Sequence, residues 1–349
     1  MILGNLRRFA RNHSSPRAFS SLMLGALALF ALALFPTPAA AQTTCPGTIT
    51  GNLILSADIV ASAGDLNPCI TVGGDGLMVN LSGYTIDISA LGNAGVAIDT
   101  GNTSGTAIVG AGGEIVTAYT ATSSTVAAIT TASSTNITVT GLKIWNVTSS
   151  CTPGDTGSTN QRNLNAGNAM LMSNITGGSI NTNDIECYQT GITVSASDIP
   201  RKGTGDISNN NFVNNTYNNS AAGTSVASAG LVLDSSSGWT IQNNFASYNG
   251  SLDGSFSCVV LDPGCFAAIR LTGTSNGNSV LTNNVYDNFG PGIYTGPSTS
   301  RNKIQSNTNI FANAVYDLWD DVPPHSSNNW NKNSCPDGAL GSVSPQRCP

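Results

Sequence analysis

Charged residues are sparse in this chain of 349, thirteen Lys/Arg and nineteen Asp/Glu with two His, so the places where they could meet are informative. Arg270 and Tyr294 occupy matching points in two successive copies of a degenerate repeat. Asp234 lies two residues beyond the matching point of the preceding copy, Val232, and Asp317 opens the following one. An arginine can grip a carboxylate, a carboxylate can act as a base or bind calcium, and a tyrosine can stack or act as an acid. Arg270, Asp234 and Asp317 are therefore the candidate catalytic groups, and Tyr294 is a candidate substrate contact. The plainer reading is an exposed Asp234–Arg270 ion pair of little energetic weight. Arg201 and Lys202 form the one adjacent basic pair beyond the first forty-one residues; they could meet an anionic sugar or belong to a solvated turn. His325, beside Pro323-Pro324 and near Asp320 and Asp321, reads as a capping residue or as an acid or base.

The elements that must position these groups are short strands. GLVLDSSSGWTIQNNFASYNG from Gly230, AIRLTGTSNGNSVLTNNVYDNFG from Ala268 and GIYTGPSTSRNKIQSNTNIFANA from Gly292 repeat one order. Each has a small residue, an apolar strand, a Ser/Thr/Gly/Asn turn and a second strand ending in asparagines. Weaker copies begin at Ile70, Val96, Ala127 and Ala169. One copy cannot bury its own apolar face, so copies must stack. Recurrence in the same order implies that equivalent strands run parallel, about 4.8 Å apart, in about nine rungs. Asn183, Asn210, Asn244, Asn284 and Asn307 fall at matching places, where their amides can hydrogen-bond from rung to rung or satisfy buried turn backbone. The same alignment puts Leu171, Thr193, Val232, Arg270 and Tyr294 on one outward stripe, with Asp317 next. Three long insertions, 148–167, 215–229 and 249–267, fall after a second strand and before the next first strand. They would gather at one corner and wall that stripe.

The ends and the cysteines bound the rest. Residues 1–41 read as an export signal: Arg7, Arg8, Arg11 and Arg17, then LMLGALALFALALF, then PTPAAA. Loss of those four arginines would take thirteen basic residues to nine against nineteen acidic ones, a net charge near −10. That balance argues against nucleic acid as a partner. No later stretch is apolar enough to span a membrane after cleavage. The eight cysteines all follow the signal, and an even count behind an export signal reads as disulfides. Because each rung touches only its neighbours, the expected pairs are Cys45–Cys69, Cys151–Cys187, Cys258–Cys265 and Cys335–Cys348. A zinc site is disfavoured, since no short paired thiol spacing and no accompanying histidine is present.

The textures NITVTGLKIWNV, GWTIQNNFASYNG and NSVLTNNVYDNFG, with the ending VYDLWDD followed by NNWNKNSC, resemble a right-handed parallel β-helix of the pectate-lyase-like class. The resemblance implies an all-β, single-domain solenoid over 70–322, with an N-terminal cap at 42–69 and a C-terminal, disulfide-tied cap at 323–349. Pectate lyases, polygalacturonases, alginate lyases and epimerases, tailspikes and adhesins share this fold, so fold alone leaves function open. In such families glycan clefts lie where the insertions gather. NTND at Asn181–Asp184 matches one polygalacturonase element without its companions. The Asp-Pro-His-Asp motif of alginate epimerases is absent, and no carboxylate cluster of the calcium type is present. The expectation is a secreted, periplasmic or cell-surface monomer that contacts a polysaccharide or glycan. It would be a lyase or hydrolase, or else a structural or adhesive protein. No cofactor is required, and Ca2+ is the one ion its carboxylates could recruit.

Overall fold

Ile, Val and Leu at every second position, separated by small polar residues, make strands with one dry face and one wet face. The computed structural model describes residues 44–120, 125–147, 151, 166–200, 204–216, 228–250, 267–314, 316–322, 327–341 and 343. Among these, thirty short strands wind into three sheets of eleven, ten and nine strands, in which every pairing is parallel. Chain order cycles through sheet 1, sheet 2 and sheet 3, which is the path of a right-handed parallel β-helix. No helix of the described residues is long and apolar enough to cross a membrane.

The register is strict. In sheet 1, Ile98, Ile129, Met170, Ile192, Leu231, Ile269, Ile293 and Leu318 lie above one another and point inward. Val79, Ile108, Val139, Ile180, Ile207, Ile241, Val280, Ile304 and Trp330 form the inner column of sheet 2, and Ile59, Ile86, Ile115, Ile144, Ile185, Phe212, Ala246, Val285 and Ile310 that of sheet 3. All are essentially inaccessible. Each such side chain contributes about 1.5–3 kcal/mol by leaving water, and it does so only because a rung lies on either side.

The described helix has nine to eleven strands per sheet, where about nine rungs were expected, and strand pairing extends into both segments expected as caps. Gly47–Ile49, Leu53–Ile54 and Ile59–Val60 pair in register with the following coil, so the segment expected as a cap is the first turn. At the other end Asn329–Asn331 joins sheet 2 and Ala339–Gly341 joins sheet 1. Two- and three-residue strands carry too little periodicity to reveal these turns. Pro323, Pro324 and the signal segment lie outside the described residues. Cys45–Cys69 ties the first turn to the second, and Cys151–Cys187 bridges neighbouring rungs, both as expected. Cys335 is disulfide-bonded. Cys348, and both members of the expected Cys258–Cys265 pair, lie outside the described residues.

Corners are held by side-chain ladders. Between sheets 2 and 3, Asn183, Asn210, Asn244, Asn283, Asn307 and Asn333 are linked Nδ2 to Oδ1 at 2.9–3.1 Å. Each Oδ1 from Asn210 onward also accepts a backbone N–H of the preceding rung, and each Nδ2 donates to a strand carbonyl such as that of Ile207. Asn283, not Asn284, is the ladder residue of its rung. Asn284 points outward and accepts from Asn309 Nδ2 at 2.8 Å. A second ladder, Asn215–Asn249–Asn288–Asn313, turns the chain out of sheet 3, and a third, Asn278–Asn302–Asn328, leads into sheet 2. The residue before each rung of the first ladder is left-handed: Thr182, Asn209, Asn243, Thr282, Ser306 and Lys332 have φ of 53–56°. That conformation costs a non-glycine residue of order 1–3 kcal/mol, and the amide network on the next residue offsets it.

Candidate functional site

The outer face of sheet 1 carries the predicted stripe. Strand pairing places Thr130, Leu171, Thr193, Val232, Arg270 and Tyr294 in one column, as the repeat implies. The next member is Trp319, not Asp317. Asp317 sits two residues earlier, in a column otherwise filled by Ala128, Ala169, Gly191, Gly230, Ala268 and Gly292. There the backbone of the following rung comes close: a Cβ on Gly191 would lie 2.4 Å from the Gly230 carbonyl oxygen. One rung before the end of sheet 1 Asp317 takes this place and is buried. Its Oδ1 accepts from Asn313 Nδ2 and its Oδ2 from the Asp337 N–H, both at 2.8 Å, so it terminates the second asparagine ladder. Burial raises its carboxyl above the usual aspartate range, against the lowering effect of those two hydrogen bonds. It lies off the outward face.

Around the stripe the chemistry is divided between open and covered positions. Arg270 is half-buried, and Asp234 stands one rung earlier and two residues along, opposite Thr272. Ser235 Oγ donates to Asp234 Oδ1 at 3.2 Å. Tyr294 is 2 % exposed and Trp319 9 %; their rings meet edge to face with centroids 6.3 Å apart, and Tyr316 packs on Trp319 at 5.5 Å. The Tyr294 phenol donates to Asp321 Oδ2 at 3.2 Å. Neighbouring Asp320 faces the interior instead, accepting from Thr295 Oγ1 at 2.7 Å and Trp330 Nε1 at 3.0 Å.

Sequence reasoning thus reached Arg270, Tyr294 and Asp234 and missed Trp319 and Asp321. Aligning Leu318 with Ile293 would have found both, but DLWDD offers aspartates in more than one phase. The strands flanking all three insertions leave sheet 3 and enter sheet 1; most of each insertion itself lies outside the described residues. Arg201, Lys202 and His325 lie outside the described residues. Among the described residues no three His, Cys, Asp or Glu side chains converge as a metal-binding group.

No protein-family model matches the chain, and no curated protein matches it. Among solved structures it is similar to a double mutant of the periplasmic alginate epimerase AlgG. The two are 14 % identical with a TM-score of 0.49, over 79 % of this chain and 64 % of that one. The matched region is thus under two thirds of that structure's length.

Proposed function

We propose that this is an exported β-helix protein that contacts a polysaccharide or cell-surface glycan along the outer face of sheet 1. The observation that carries the reading is the column that brings Arg270 beside Tyr294, with Asp234 and Asp321 on either side, next to the corner from which all three long segments emerge. A half-buried arginine among carboxylates and aromatic rings suits a ligand that is both hydroxylated and anionic. Tyr294 and Trp319 are too covered to stack on a sugar and instead pack on each other along the column next to Arg270. If the protein is an enzyme, β-elimination on a uronide fits these groups best. Arg270 would bind the carboxylate or handle the C5 proton, and Asp234 would assist directly or through Ca2+. Asp321 replaces Asp317 as the second carboxylate of this reading, because only the former borders the stripe. Disulfide bonding at Cys45–Cys69 and Cys151–Cys187 agrees with an oxidising compartment.

The test is a glycan array beside a depolymerisation screen on uronate polymers, each with and without calcium, for wild type and Arg270→Ala. Binding lost in the variant supports the reading, and unsaturated products lost with it assign a lyase. Binding without products assigns a lectin-like role. Binding and turnover indifferent to Arg270 overturn the site. Silence in both assays would favour the durable rod that the three asparagine ladders also suit.

A further inference from the structure

Sheet 3 presents a second surface that the stripe on sheet 1 does not involve. In its last three rungs Phe245, Tyr286 and Phe311 point outward. Phe245 meets Tyr286 edge to face with centroids 5.0 Å apart, and Tyr286 stacks on Phe311 at 5.0 Å with the planes 7° apart. Phe311 is 42 % exposed, and the other two rings are half-buried. Beside the rings runs a polar row. Asn309 Nδ2 donates to Asn284 Oδ1 at 2.8 Å, and burial together with the nearby Asp287 carboxylate raises the Tyr248 phenol above its ordinary range.

Aromatic side chains touching across three rungs are more than the core requires, because the inner column Ala246, Val285 and Ile310 closes it beneath them. Rings that remain partly in water, interleaved with amides and a carboxylate, suit a ligand with apolar C–H faces and many hydroxyls. A protein partner would be met by broader aliphatic surface. Among the described residues of these three rungs, Phe311 is the one strongly exposed large apolar side chain. With a whole-chain charge of −6, and Asp287 within the row, a neutral sugar is favoured over a polyanion. The three strands together span about 10 Å, room for a short oligosaccharide segment.

We infer that the outer face of sheet 3 around Phe245, Tyr286 and Phe311 is a binding platform for neutral oligosaccharide, separate from the Arg270 face. The platform and Arg270 flank the same corner, since residues 249–267 connect their rungs, yet they share no side chain, so each can fail alone.

Isothermal titration with cellohexaose, mannohexaose and laminarihexaose tests it on the full mature chain. Phe311→Ala and the bulk-preserving Phe311→Leu should both weaken binding of the favoured hexasaccharide about tenfold, the scale of one lost aromatic contact. Thr138→Ala, on the outer face of sheet 2, should leave that binding unchanged. Circular dichroism and unfolding midpoints establish that each variant is folded, and Phe311→Leu stands if Phe311→Ala does not fold. The inference is overturned if the wild type binds none of the three at millimolar concentration, or if Phe311→Leu binds as wild type does. It is equally overturned if sedimentation shows that the patch joins two copies of the chain and Phe311→Leu dissociates them.

Discussion

At the scale of single residues, identity mattered less than column. Asp317 and Trp319 share the parity that points outward, and only the neighbouring rungs separate a position crowded by backbone from one that faces the stripe. A sequence alignment of first strands shows parity readily. It does not show crowding, because an alanine or glycine at the head of a strand also reads as a turn residue. The same limit explains Asn284: QNN at Gln242 and TNN at Thr282 each place two asparagines side by side, and only the left-handed residue before the ladder fixes the phase. The buried Asp317 carries a pH signature. Its folded-state value lies above the ordinary 3.8, burial being the leading cause. The folded protein therefore holds that proton more tightly than the unfolded chain. The resulting stability is present in full below about pH 4 and is lost as pH rises through the folded value. In Asp317→Asn that slope should vanish, so the excess of wild-type over variant unfolding midpoint should shrink as pH rises from 3.5 and then level off. A difference that instead grows with pH would show that the ionised carboxylate is the favoured form in the ladder.

At the scale of elements, the strands were legible and their ends were not. Alternating Ile and Val announce a two-faced strand wherever four or more residues continue the pattern, as in Ala229–Asp234 or Thr135–Thr140. Leu53–Ile54 and Ile59–Val60 are two residues each, too short for any period. They exist because the next rung supplies hydrogen-bond partners, and that information is not local. The corners follow the same rule. Replacing Asn244 with Ala would strand the Asn210 amide, the Asn210 N–H and the Ile207 carbonyl in a dry interior. Each orphaned group costs of order 1–3 kcal/mol, and relaxation recovers part, so Asn244→Ala should lose about 3 kcal/mol in denaturant unfolding. Asn284→Ala, on the wet side of the next rung, should stay within about 0.5 kcal/mol. Equal losses would mean that the ladder is ornament. The Cys151–Cys187 bridge closes a separation of 36 residues. By the chain-entropy relation its removal in a double Cys→Ser variant should cost about 4 kcal/mol, measurable in the same titration.

For the whole molecule, the parallel stack makes stability a nearest-neighbour quantity. Every interior rung is sandwiched between two others, whereas Gly47–Ile49, Leu53–Ile54 and Ile59–Val60 each pair on one side among the described residues. The exposed side chains of the first coil agree with this, for Ile54 and Leu66 are each 60 % exposed. Among the described residues the rung-to-rung asparagine amide pairs begin at Asn183, and the early coils are joined instead by single side-chain-to-backbone bonds, such as Asn52 Oδ1 accepting from the Met78 N–H. Protection from hydrogen exchange should therefore be graded. Amides of Ile192, Leu231 and Ile269, flanked by rungs and laddered corners, should exchange only through the largest openings. Those of the first coil should exchange several orders of magnitude faster through local fraying. Reducing Cys45–Cys69 should widen that gap without altering the central rungs, because the bridge joins only the first two coils. Uniform protection along the chain would mean that the helix opens as one cooperative body. The outer faces of sheets 1 and 3 would then be coupled through the core, and a ligand on one would stiffen the other.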